Sequence, residues 1–327
     1  MLVIDSRKVS YAIMGIFAIF AAILIFDFCR FTIKSIKCWS SDYGGRYYLA
    51  RCNNSNFGEY ETGAIAYGLE SGISEGIRSA QVIFVGSSKL QQAFSTKATT
   101  AYFAEQNIRF YVLGFAVQNS AGFVLQMLKD KGASPSVLIV NADPFFITDP
   151  RTNLSVLEWG GLRAYWRLAK MMGLQRLQRA TCPNLPSLCL PPDRTIYRSA
   201  DTGQWRWQGS YYPEQSIPFN EFMQDKPSDN DLTAAVEFGE RFLREIDINR
   251  DCIVFTGIPN NDQEAPVIAS RLAQRLGTRL ILPKVEPILL LDDYHLNFDS
   301  AERWSAAFLN ELTPVLQRCL SKRNGHD

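Results

Sequence analysis

Histidine is nearly absent from this chain: there are two, His295 and His326, among 327 residues. His326 is next to last, in the polar tail SKRNGHD, and chain ends are poorly ordered unless tied down. Any histidine chemistry therefore falls to His295. The phosphate-binding G-x-x-x-x-G-K-[ST] loop, the dinucleotide turn G-x-G-x-x-G and Cys/His spacings of the zinc type are also missing. No cofactor and no metal are expected. Charge of either sign is not in excess. The net charge is +1, without the basic stripe that nucleic-acid binding leaves, so no nucleic-acid partner is expected. The rest of the composition, 46% hydrophobic and 20% charged, is that of a globular protein with one large domain or two smaller ones.

Cysteine is present seven times, as Cys29, Cys38, Cys52, Cys182, Cys189, Cys252 and Cys319. Cys182 and Cys189 bracket the proline-rich loop TCPNLPSLCL, and Cys38 and Cys52 bracket a polar stretch. Either pair can be a disulfide in an oxidising compartment, or two free thiols that happen to be close. Cys252 opens an apolar strand and reads as a buried thiol.

The one long uncharged run is VSYAIMGIFAIFAAILIF, Val9 to Phe26. It approaches the length of a membrane-spanning helix. It continues into FDFCRF, which offers no small-residue cleavage site. The run therefore reads as an uncleaved anchor, against the alternative of a buried core helix. Arg7 and Lys8 precede it, and Arg30, Lys34 and Lys37 follow it, so the positive-inside rule does not favour an external C-terminal part. The cysteine pairs do. A single-pass inner-membrane protein of bacterial type, with its soluble part on the periplasmic side, is the expectation.

Residues 1–37 then form the anchor. Residues 38–80, rich in polar residues and glycine, form a stalk or cover. From Gln81 a rhythm begins. The apolar runs QVIFV, IRFYVL, SVLIVN, CIVFTG and RLILP alternate with amphipathic helical patterns, the last from about Ser300 to Leu320. Such alternation predicts βαβ units and a parallel sheet. The expected fold class is α/β, a three-layer sandwich around about five parallel strands, spanning 81–320. The rhythm breaks over about 150–231, which reads as an insertion at the sheet's edge or over its carboxyl end. Residues 321–327 form a tail.

In an open parallel sheet, ligands bind outside the carboxyl ends of the strands. There VIFVGSSKL places Ser87 and Ser88 at the end of the first strand and the start of a helix. A helix N-terminus favours an oxyanion, so the position suits a nucleophilic serine. It equally suits a plain helix cap. The segment LDDYHLNFDSAERW places His295 three residues after Asp292. A serine hydroxyl needs a base, and histidine is one near neutral pH. A carboxylate orients the ring. Asp293 can replace Asp292 in that role, and a surface histidine beside solvated aspartates remains the plainer alternative.

FVGSSKL near the start of the soluble part and DDYHLN near its end resemble the first and fifth blocks of the SGNH (GDSL-like) hydrolase superfamily. The resemblance covers the frame from about Gln81 to Cys319. It implies a flavodoxin-like SGNH fold, with Ser88 as nucleophile, His295 as base and Asp292 as orienter. Ser87 stands where the family usually has aspartate. The oxyanion donors it implies are less well matched. LGFAVQNSAG offers Gly114, while Val117 stands where the glycine of the family's second block is expected. VNADPFF aligns Asp143 with the family's aspartate and Ala142 with its asparagine, and Asn141 comes one place early.

Membrane-anchored proteins that look like this move acyl groups on envelope or secreted polysaccharide, some beside a membrane-bound O-acyltransferase. The implied partners are therefore an acylated polysaccharide or acyl donor, such an acyltransferase, and the membrane through the N-terminal helix. Trp159, Trp166, Trp205, Trp207, Tyr211 and Tyr212 in the insertion can stack on sugar rings, or can pack the insertion against the sheet. Two other readings stand beside an acyl esterase or O-acyltransferase. One is a catalytically inactive assembly or glycan-binding protein on the same fold. The other is a thioesterase or lipase, which the lack of a long uncharged amphipathic face in the insertion does not support.

Overall fold

The computed structural model describes residues 14–19, 21–23, 25, 46–52, 57–115, 121–146, 162–185, 194–209, 216–220, 228–261 and 264–323. In chain order the first elements are β1 (Tyr47–Cys52), α1 (Phe57–Tyr67), α2 (Ile73–Ser79), β2 (Val82–Ser87), α3 (Ser88–Phe94) and α4 (Lys97–Glu105). They are followed by β3 (Phe110–Phe115), α5 (Ala121–Asp130), β4 (Val137–Asn141), α6 (Ala142–Phe145) and α7 (Leu162–Thr181). The chain continues through β5 (Arg194–Ser199), β6 (Trp205–Gly209), β7 (Ile217–Pro218) and α8 (Asp229–Glu245). A 3-10 turn at Arg250–Cys252 leads into β8 (Ile253–Thr256), α9 (Ala265–Leu276), β9 (Arg279–Leu280), β10 (Leu289–Leu290) and α10 (Phe298–Arg323).

The five apolar runs form one parallel sheet in the order β3-β2-β4-β8-β9. Alternate residues of each strand point to opposite faces, and both faces are covered. On one side Ile83, Val85, Tyr111, Leu113, Leu138, Val140 and Phe255 pack with buried residues such as Ile77 of α2, Phe123 of α5, Phe242 of α8 and Leu272 of α9. On the other side Val82, Phe84, Val112, Ile139 and Val254 meet Leu90 and Phe94 of α3, Phe103 of α4, and Trp304, Phe308 and Leu312 of α10. Burial on both faces is why these strands read as continuous apolar runs rather than as alternating ones. Helix α9 stops at Gly277, whose φ of 64° is the left-handed C-terminal cap.

The stretch expected as a stalk or cover is part of this core from Tyr47 onward: Tyr48, Leu49, Tyr60, Ile65, Ile73 and Ile77 are all buried. Strand β1 pairs antiparallel with β5, and β5 with β6, so the segment before the main sheet and the insertion build one small sheet together. It docks on the edge strand β3, where the Val112 N–H donates to the Thr202 carbonyl at 2.8 Å. Arg198 of β5, fully buried, locks this joint. Its guanidinium pairs with Glu61 of α1 at 2.8 Å and donates to the carbonyls of Val112 at 2.6 Å and Gly114 at 3.2 Å.

One cysteine expectation is corrected. Cys252 is not a buried thiol but is bonded to Cys319 of α10, 67 residues away, with the two Cα atoms 5.9 Å apart. The bond ties the far end of α10 to the turn that opens β8, a contact made by the packing of the last helix and not by any local spacing. Cys182 is buried and disulfide-bonded, and Cys189, its expected partner, lies outside the described residues. So does Cys38 of the other expected pair.

Of the expected membrane span, residues 9–13, 20, 24 and 26 lie outside the described residues. Residues 14–19 and 21–23 are helical, and the side chains of Ile16, Phe17 and Ile19 are exposed. Among the described residues no helix is long and apolar enough to cross a membrane.

Candidate active site

The two serines that close β2 have different tasks. Ser87 is extended, with φ −85° and ψ −175°, and caps α3: its Oγ accepts the Lys89 N–H at 3.2 Å. Ser88 is the first residue of α3, and its Oγ faces the histidine. Helix α3 reaches this place because the sheet beneath it is bare. A Cβ on Gly86 would lie 2.9 Å from Asn141 Cβ and 3.1 Å from Leu90 Cβ, and one on Gly114 would lie 2.5 Å from Gln91 Cβ. Real Cβ atoms do not approach so closely, so the two glycines let the helix settle on β2 and β3.

The other half of the site is the loop between β10 and α10. Asp292 folds it into a tight turn by accepting the N–H groups of Tyr294 and His295 at 2.8 Å each. The Leu291 N–H and His295 carbonyl close its base at 2.8 Å. Asn297 caps α10 by accepting the Ser300 N–H at 2.8 Å. The loop thus aims His295 along a fixed direction. His295 Nδ1 lies 3.0 Å from both carboxylate oxygens of Asp292, and Nε2 lies 2.9 Å from Ser88 Oγ. A Ser–His–Asp row is therefore in place, drawn from two ends of the chain. Burial alone would raise the pKa of Asp292. The hydrogen bond and charge of His295, with the two backbone N–H groups, outweigh it and hold the carboxyl below its ordinary value of 3.8. A carboxylate that stays ionised can fix the imidazole tautomer and balance an imidazolium.

Asp293, the alternative orienter, points elsewhere. Its carbonyl accepts the Asn261 N–H at 2.8 Å, and its carboxylate lies 3.4 Å from Asn261 Nδ2. Asp293 thereby moors the loop to the segment after β8.

Two of the expected oxyanion donors are engaged within the fold. The Gly114 N–H is spent on Gln91 Oε1 at 3.0 Å. Asn141 is fully buried, and its Nδ2 donates to the Asp143 carbonyl at 2.5 Å, inside the turn that starts α6. Val117 lies outside the described residues. At the serine itself the Ser88 N–H, at the start of α3, is the nearest backbone donor by position.

Three residues at the site carry no signal of their own in the sequence. Lys89, next to Ser88, is buried and ion-paired with Asp143 at 2.9 Å. Asn260 Nδ2 reaches the same carboxylate oxygen at 3.2 Å. Gln92, one turn beyond Ser88, accepts from Trp207 Nε1 at 2.8 Å and donates to the Leu296 carbonyl at 3.4 Å, beside His295. The position of Asn260 just past the carboxyl end of β8 is the only hint the sequence holds. Of the insertion aromatics, Trp205 and Trp207 are half-buried and hydrogen-bonded to Glu61 and Gln92, while Trp166 is exposed. Trp159, Tyr211 and Tyr212 lie outside the described residues.

A G-x-S-x-G string does occur, Gly72 to Gly76, but it makes no α/β-hydrolase elbow. No strand runs into it: Gly72 precedes α2, and Ser74 is exposed in the first turn of that helix. Among the described residues no group of three His, Cys, Asp or Glu side chains converges to hold a metal ion. No protein-family profile, curated protein or solved structure matches this chain.

Proposed function

We propose that the chain is a serine acyl esterase or O-acyltransferase of SGNH type. The observation that carries this reading is the 2.9 Å contact between His295 Nε2 and Ser88 Oγ, with Asp292 at 3.0 Å behind the ring. Ser88 Oγ attacks the carbonyl carbon of an acyl ester and gives its proton to His295 Nε2. The oxyanion is met by the Ser88 N–H at the start of α3. The departing alkoxide takes the proton from His295, leaving an acyl ester on Ser88. A water or a sugar hydroxyl then gives its proton to His295 and attacks the acyl carbon, and His295 passes that proton to the departing Ser88 Oγ, which restores the free serine.

The setting we infer is the outer face of a bacterial-type inner membrane, with an acylated envelope or secreted polysaccharide as substrate. A membrane-bound O-acyltransferase is the fitting partner. Support comes from the Cys252–Cys319 bond and the bonded state of Cys182, which suit an oxidising compartment, and from the uncharged run Val9 to Phe26.

The second reading, a non-catalytic binding protein on the same fold, rests on the engagement of the Gly114 N–H and Asn141 Nδ2 within the fold. A fluorophosphonate probe and an aryl acetate separate the two. Covalent labelling and acetate release, both abolished in Ser88→Ala and His295→Ala, support the enzyme. A folded parent protein that is never labelled supports the binding protein.

A further inference from the structure

Helix α7 is apolar on two opposite sides. Its inner side is committed to the body of the protein. Leu168, Met171 and Leu174 are buried, and Gly63 of α1 approaches so closely that a Cβ there would lie 2.6 Å from the Leu168 methyls. Gln175 accepts the Leu49 N–H at 3.0 Å, and Arg179 turns inward to donate to the Tyr47 carbonyl at 2.7 Å. The outer side should then be polar, as it is on an ordinary surface helix. It is not. Trp166 is 63% exposed and Leu177 40% exposed. Gly173 and Ala180 are exposed on the same stripe, at the recurrence of one helix face. Tyr165, 52% exposed, lies beside it.

Basic residues flank this stripe. Arg167 and Arg176 are exposed on either side of it, and Lys170, half-buried, lies on the stripe between Trp166 and Gly173, while the sequence of α7, LRAYWRLAKMMGLQRLQRAT, contains no aspartate or glutamate. An aromatic and aliphatic stripe with cationic flanks suits a helix lying in the plane of an anionic lipid surface. A second copy of the chain fits poorly: a two-fold contact through this face would set its like charges opposite each other. The same chain has a further lipid-compatible element in residues 14–25, where Ile16, Phe17 and Ile19 are 67%, 72% and 63% exposed. Two weak contacts with one surface reinforce each other through effective concentration.

We propose that the outer face of α7 rests on an anionic membrane, with Trp166 and Leu177 at the acyl boundary and Arg167, Lys170 and Arg176 among the phosphates. This contact is separate from the N-terminal anchor and independent of the chemistry at Ser88.

The test uses the full chain in bilayer nanodiscs of phosphatidylcholine, with or without phosphatidylglycerol. A photoreactive p-benzoylphenylalanine replaces Trp166, Leu177 or, as an exposed control on α9, Val267. The expected result is lipid labelling from positions 166 and 177 at least about fivefold above position 267 in anionic discs, the factor that one basic residue near such a surface contributes. Labelling should fall to the control level in neutral discs and in the triple variant Arg167→Glu/Lys170→Glu/Arg176→Glu. Hydrogen exchange of residues 162–181 in the unmodified chain should slow when anionic discs replace neutral ones. Labelling no higher than the control overturns the proposal. So does labelling insensitive to both lipid charge and charge reversal, or a crosslink to a second copy of the chain.

Discussion

Two acid–base pairs flank Ser88, and they differ in almost everything but distance. Lys89 and Asp143 lie 2.9 Å apart with side chains 5% and 0% exposed. His295 and Asp292 lie 3.0 Å apart with side chains 23% and 51% exposed. The first pair sits inside the frame made by α3, β4 and the segment after β8. Removing one partner would strand the other charge away from water. The second pair sits at the surface, on a loop held by its own hydrogen bonds. The difference teaches how the site divides its labour. Fixed charge belongs where nothing exchanges, because a buried pair that loses a proton loses its partner. In the proposed reaction, proton traffic belongs where water and substrate can reach the ring.

That contrast can be broken from either side. The largest effect is expected at the open pair. Asp292→Ala should lower aryl-acetate turnover by roughly 10²–10⁴-fold, because the ring loses its orienter. Its melting temperature should barely change, since exposed pairs contribute little to stability. Steady-state kinetics and calorimetry on one preparation check both halves, and a large melting shift would contradict the division. At the buried pair, Asp143→Ala should cost about 3–5 kcal/mol of folding stability in a urea titration. The double variant Lys89→Met/Asp143→Leu should recover most of that loss; if it is as unstable as the single variant, the pair is not the reason. Gly114→Ala should cost about 1–3 kcal/mol, the usual range for overpacking, because its new methyl meets Gln91 Cβ at 2.5 Å and the Ser87 carbonyl at 2.7 Å.

The smallest effect is in acid. The folded-state pKa of Asp292 lies below its ordinary 3.8, so its contribution to stability is complete above that value. It fades as pH falls through the lower folded value. Stability measured from neutral pH into acid should therefore drop slightly less steeply in Asp292→Asn than in the parent. An identical acid limb would mean that the carboxylate gains nothing from its partners.

The sheet was legible because each strand is an apolar run, and the triad because its parts are local. Ser88 follows a strand end, and Asp292 and His295 share one turn. What could not be read depends on partners far away in the chain. Gly114 and Asn141 look like oxyanion donors until Gln91 and the Asp143 carbonyl claim them. Residues 47–52 look like stalk because the strand they pair with, β5, lies in the insertion. Lys89 looks like an ordinary helix residue because its partner stands at the end of another strand. Cys252 looks like a lone thiol because cysteine pairing cannot be deduced from spacing in a seven-cysteine chain. The choice between Asp292 and Asp293 was open for the opposite reason. Neighbours in sequence point in different directions, and only the mooring of Asp293 to Asn261 tells them apart.

Helix α10 carries the histidine loop at its front and Cys319 near its end. In the order of synthesis His295 comes 207 residues after Ser88, and the helix that seats its loop, α10, comes after it. A partly made chain therefore holds a serine with no base, whatever its sheet has already done. A chain that stops before the histidine loop has Ser88 without the two residues that line up behind it.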